Sequence, residues 1–148
     1  MNKYFLSVDC GASGATILMD QNKQVLAIKD APKNADRKGF NELKFAEILE
    51  SYYEICKTKE QVFNSNLDFE IVCCVEDPTI NSLWGKKQLH LFGRYTGIVF
   101  GCLASFLYYH QLNVKKIMKY SPRTWQKFYL EKNERTSKDK SVAKAIEI

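Results

Sequence analysis

Apolar residues come first in short blocks and later in long ones. Residues 4–8, 15–19 and 24–28 are three apolar runs of strand length. Turn-forming residues separate them: Gly11 to Gly14 after the first, and Asp20-Gln21-Asn22-Lys23 after the second. Three short runs joined by tight turns predict an antiparallel meander. The pattern then changes period. Asn41 is placed as a helix N-cap, and Leu43, Ala46, Leu49, Tyr52 and Tyr53 keep helical spacing through Cys56. Residues 71–75 return to a continuous apolar run, the signature of a strand covered on both faces. A second helix is predicted over residues 90–110, a strand over 115–120, and two short helices over 125–130 and 137–148. The order βββ-α-β-α-β-α-α, with no repeat or linker, predicts one α/β domain spanning residues 1–148: a mixed five-stranded sheet, three strands antiparallel and two parallel, with helices on both faces.

Composition adds little to that outline and charge adds more. The chain has 148 residues, 45% hydrophobic and 26% charged, with 7 Gly and 3 Pro, which excludes collagen-like and low-complexity classes. The net charge of +5 is unevenly spread. Up to Leu112 there are 12 bases and 13 acids; from Asn113 onward there are 10 bases and 4 acids. From Pro78 to Leu130 there is no Asp or Glu at all. A one-sided basic region points to a polyanionic partner, most often nucleic acid. The five cysteines are odd in number and include the adjacent Cys73 and Cys74 inside an apolar run. That usage predicts reduced thiols in a cytoplasmic protein, with no zinc spacing. The apolar stretch 95–109 is short of a ~20-residue membrane span, so a buried helix and no membrane partner are expected. Gly93, Gly97 and Gly101, four apart, are expected to let that helix approach the sheet or another helix closely.

The candidate chemistry sits at strand ends. Asp9 closes the first strand and Glu76 the fourth. In such sheets ligands bind at the carboxyl ends of central strands. If these two strands are neighbours, the two carboxylates meet at one edge. Paired carboxylates there suit Mg²⁺, a hard cation that prefers oxygen. Either acid alone is also explained as a cap on the turn that follows it.

The stretch Ser7-Val8-Asp9-Cys10-Gly11-Ala12-Ser13-Gly14-Ala15 resembles the first strand and turn of the RNase H-like superfamily, and Val75-Glu76-Asp77-Pro78 resembles the strand carrying its second acid. Gly93-Arg94-Tyr95-Thr96-Gly97, Ser121-Pro122-Arg123-Thr124-Trp125-Gln126-Lys127 and Ser137-Lys138-Asp139-Lys140-Ser141 follow in order. Together they resemble the RuvC-type Holliday junction resolvases, especially the phage-like branch. The resemblance implies an RNase H-like fold and Mg²⁺-dependent hydrolysis of a four-way DNA junction, with Mn²⁺ as a substitute. It implies a homodimer with no small-molecule cofactor. It makes Asp9 and Glu76 the catalytic metal ligands, and Lys127, Lys138 and Lys140 the DNA contacts; Arg94, near the start of the second predicted helix, is by its position a further candidate for facing a DNA phosphate. It also implies two further acids in a final helix, in an Asp-x-x-Asp-Ala-like arrangement that residues up to Ile148 do not contain. Without those acids, a junction-binding protein that does not cut is the second expectation. A third is an ATPase half-domain, because Asp9-x-Gly11-x-x-Gly14 also resembles the phosphate loop of actin- and sugar-kinase-like enzymes.

Overall fold

A computed structural model describes residues 1–10, 14–34, 39–63, 68–76, 85–112 and 117–121. The elements run β1 (Asn2–Val8), β2 (Ala15–Asp20), β3 (Val25–Asp30), α1 (Glu42–Phe63), β4 (Phe69–Glu76), α2 (Lys86–Tyr109) and β5 (Ile117–Tyr120). The predicted helices over 125–130 and 137–148 lie outside the described residues. The strands form one mixed sheet in the order β3-β2-β1-β4-β5. β1, β2 and β3 pair antiparallel as a meander, while β1–β4 and β4–β5 are parallel. The chain therefore reverses by turns twice, then crosses over through a helix twice, as parallel pairing requires.

Alternation along the strands decides which face is packed. Tyr4, Leu6 and Val8 of β1 are buried, and they align with Asp20, Leu18 and Thr16 of β2 and with Ile71, Cys73 and Val75 of β4. Phe45, Leu49, Tyr52 and Cys56 of α1, with Val99, Leu103 and Leu107 of α2, close over this surface in one core cluster. Both described helices thus lie on the same side of the sheet. The two further predicted helices, which the expectation of helices on both faces includes, lie outside the described residues. Phe5, Ile17 and Cys74 point to the other side and are half-buried. β4 meets its expectation: Phe69 through Cys73 are all buried.

Helix ends follow local chemistry. Asn41 caps α1 as predicted, its side-chain oxygen accepting the Lys44 amide at 2.9 Å. α1 runs two turns past the predicted end at Cys56. α2 begins one turn earlier than predicted and stops where predicted: Gln111 turns left-handed (φ 56°), and the Leu112 amide reaches back to the Leu107 carbonyl at 2.7 Å.

The glycine stripe of α2 departs from expectation. Gly93, Gly97 and Gly101 are exposed, and a Cβ placed on any of them would meet no described atom within 4 Å. Close approach to the sheet is made by Val99 and Leu103 instead. α2 is long and apolar enough to cross a membrane by length and composition, but only 22% of its most apolar window is buried. The expectation of a buried helix therefore holds for one face only.

A polar network lies where β1 begins. Glu60, on the turn of α1 after Cys56, is fully buried at 1% exposure. Its carboxylate accepts the Tyr4 hydroxyl at 2.6 Å and the Asn2 side-chain amide at 3.0 and 3.1 Å. Burial, then the hydrogen bond to Glu60, pushes the Tyr4 hydroxyl well above its ordinary range. Nearby, Lys59 pairs with the buried Asp20 at 2.7 Å, and Asp20 also accepts the Asn22 and Gln24 amides. The Lys59 hydrogen bond holds the Asp20 carboxyl below the usual range.

Candidate functional site

β1 and β4 are neighbours, running parallel with Val8 opposite Val75. The residues one step beyond that pair are Asp9 and Glu76. The two acids therefore stand at the carboxyl ends of adjacent central strands, whose spacing is about 4.8 Å. Glu76 ends β4, half-buried. Asp9 lies just past β1 and is exposed, but its backbone is held: its amide donates to the Ala15 carbonyl at 3.0 Å, extending the β1–β2 ladder. Continued alternation sets both acids on the side of Ser7 and Cys74, opposite the two helices.

Gly14 fits this arrangement tightly. A Cβ at Gly14 would run into the Asp9 carbonyl and lie 3.0 Å from the Asp9 carboxyl carbon. The Gly14 carbonyl in turn accepts the Ala31 amide at 2.8 Å, tying the returning chain to the end of β3. Only a residue without a side chain lets β2 start this close to Asp9.

Other acids are less well placed. Asp30 ends β3 at the same edge, but β2 stands between β3 and β1. Among the described residues no group of three or more His, Cys, Asp and Glu side chains converges on one point. Two carboxylates such as Asp9 and Glu76 are of the oxygen type that a hard divalent cation prefers, and would supply only part of its shell. Burial pushes the Cys73 thiol up to about 12, and Cys73 faces the helix side of the sheet, away from the two acids.

The remaining candidates divide. Arg94 is exposed on α2, but that helix starts at Lys86, so Arg94 stands in the third turn, away from the N-terminal amides where a phosphate would sit. Lys127, Lys138 and Lys140 lie outside the described residues. One neighbour of the site was not singled out as functional. Tyr120 pairs directly with Glu76 and is 39% exposed, with Lys119 one position before it. Lys119 packs its ammonium over the Phe100 ring at 4.3 Å. β5, which carries Tyr120, is the edge strand next to β4 among the described strands.

No protein-family model matches the chain, and no curated protein matches it. Among solved structures, a gluconate kinase from Lactobacillus acidophilus aligns at 18% identity over 51% of this chain, with a TM-score of 0.27. The aligned part spans 16% of that kinase. What is established for this chain is an α/β fold with a five-stranded mixed sheet.

Proposed function

We propose that this chain is an RNase H-like nuclease domain of the RuvC type, cutting branched DNA by metal-assisted phosphodiester hydrolysis. The observation that carries the proposal is the parallel pairing of β1 with β4, which sets Asp9 and Glu76 side by side at the sheet's carboxyl edge. Two acids far apart in sequence gain a common ligand only through that pairing. Mg²⁺ or Mn²⁺ bound there would activate a water and stabilise the leaving oxygen. In this reaction water adds to phosphorus, one P–O bond breaks and the departing oxygen takes up a proton. Asp9 and Glu76 hold the cation, Gly14 fixes the Asp9 backbone, and Lys127, Lys138 and Lys140 contact the DNA backbone. The acid-free stretch from Pro78 to Leu130 supplies a positive field for DNA. Five free thiols suit a reducing, DNA-containing compartment such as the cytoplasm.

A second proposal, junction binding without cleavage, is favoured by one observation: no third carboxylate joins Asp9 and Glu76 among the described residues. One experiment separates the two. The chain is mixed with Mg²⁺ or Mn²⁺ and a mobile four-way junction, alongside Asp9→Asn and Glu76→Gln. Symmetric nicks from wild type alone, with binding retained in both variants, support the nuclease. A variant that cuts at the wild-type rate removes the metal-site assignment. Binding without nicks, unchanged in Asp9→Asn, supports the binding protein.

A further inference from the structure

We propose that Tyr120 is a stacking contact for an unpaired base of bound DNA, on the β5 side of the Asp9–Glu76 edge. The inference rests on the proposal that DNA reaches that edge, and it names the form of DNA held there: a strand with a base outside its helix. The register builds the site row by row. Lys119, Val75, Val8, Thr16 and Lys29 align across the sheet. The row above them runs Tyr120, Glu76, Asp9, Ala15 and Asp30. Tyr120 pairs with Glu76, the Asp9 amide donates to the Ala15 carbonyl, and Ala15 pairs with Asp30. Residues aligned across neighbouring strands share a face, so Tyr120 stands on the same side as Glu76 and Asp9, one strand spacing of about 4.8 Å from Glu76. Lys119 and Lys29 fall on the helix side, where Lys119 is held over the Phe100 ring.

The two ends of this row differ. On the β3 side Asp30 adds a negative charge, which repels a phosphate backbone. On the β5 side the row ends in an aromatic ring. A polyanion that touches the Asp9–Glu76 pair is therefore turned towards β5 and across Tyr120. The ring is set for such a contact. Its hydroxyl donates to Met118 Sδ at 3.4 Å, two residues back on the same face, which lays the ring along β5 instead of out from it. A thioether is a weak acceptor, so ring surface and not a strong hydrogen bond is what Tyr120 offers. Its neighbours on that face, Cys74 and Met118, are half-buried, while Tyr120 itself is exposed. Every base has a π face, so a tyrosine here takes an unstacked base of any identity. A base inside a duplex has both faces covered by its neighbours and is not available to it.

Fluorescence anisotropy of the 148-residue chain on two labelled probes tests this. The probes are an oligothymidine of about 12 nucleotides and a blunt duplex of the same length, with Ca²⁺ replacing Mg²⁺ to hold back cleavage. Tyr120→Ile keeps a strand-forming side chain at the edge. It should bind the single strand about fivefold or more weakly, the low end of what one stacked base contributes, and bind the duplex as wild type does. Tyr120→Thr is measured beside it, so the comparison survives if one variant fails to fold. Tyr120→Phe should keep wild-type affinity for both probes, since the ring is retained. Wild-type affinity for the single strand in both non-aromatic variants, an equal loss on the duplex, or an equal loss in Tyr120→Phe overturns the inference. Nicking of a four-way junction in Mg²⁺ is scored separately. Nicks from wild type with no Tyr120 effect on the single strand remove this inference alone; a selective single-strand loss without nicks removes the cleavage reading alone.

Discussion

The two ends of β1 hold acids in opposite circumstances. At its start, Glu60 and Asp20 are buried, one satisfied by Tyr4 and Asn2, the other by Lys59 and two backbone amides. At its finish, Asp9 is exposed and Glu76 half-buried, on neighbouring strands of the same sheet. Burying a carboxylate costs several kcal/mol unless donors meet it, so a buried acid with complete donors is part of the fold. A water-accessible acid on a fixed backbone can still exchange its surroundings for a cation. The same residue type therefore supports structure at one end of a strand and offers chemistry at the other.

That contrast can be broken in order of effect. Asp9→Asn and Glu76→Gln should abolish junction cleavage while leaving the chain folded; circular dichroism and chemical denaturation of both variants check it. Gly14→Ala should damage both properties, because its methyl displaces the Asp9 backbone. Overpacking of this kind costs about 1–3 kcal/mol, and cleavage should fall further than stability explains. Tyr4→Phe should do the reverse. It leaves the buried Glu60 short of a donor, costs about 1.5–3 kcal/mol in a urea titration, and leaves cleavage by the folded fraction intact.

The Asp20–Lys59 pair gives a prediction in pH. The folded Asp20 carboxyl lies below its ordinary value, so its contribution is complete above about pH 3.9, the unfolded value, and is lost as pH falls through the folded one. Lys59→Met should reduce stability at neutral pH and flatten that acid-side loss; an identical pH slope in wild type and variant would remove the pair as its source. The smallest effect is expected at Thr96, whose hydroxyl is buried without a hydrogen-bond partner among the described residues. Thr96→Val keeps the shape, removes the unsatisfied group and should raise stability by about 1 kcal/mol in a thermal melt.

Much of this architecture was legible in apolar periodicity. All seven described elements appear in the predicted order, because runs of period two and period three-to-four are separated by real turn chemistry. The placement of Asp9 and Glu76 was legible only conditionally, since periodicity does not say which strands are neighbours. The Glu60 network was missed although its signal was present. Phe45, Leu49, Tyr52 and Cys56 recur three or four apart, and Glu60 falls on the next turn of that buried stripe. A charged residue at a core position marked the end of the pattern when it marked a hydrogen-bonded core group. The glycines of α2 misled in the opposite way. Their spacing signals close packing, but only the fold shows which side of the helix faces the sheet.

The strand order β3-β2-β1-β4-β5 also has a consequence for synthesis. The first three strands leave the ribosome as a self-contained meander, while the inner edge of β1 waits for β4, some sixty residues later. During that interval a strand destined for the middle of the sheet has an unpaired backbone edge, open to pairing with another nascent chain. The long crossover through α1 raises contact order and slows closure of the β1–β4 pair. Conditions that stall translation between residues 30 and 69 should therefore be those under which this protein aggregates most readily.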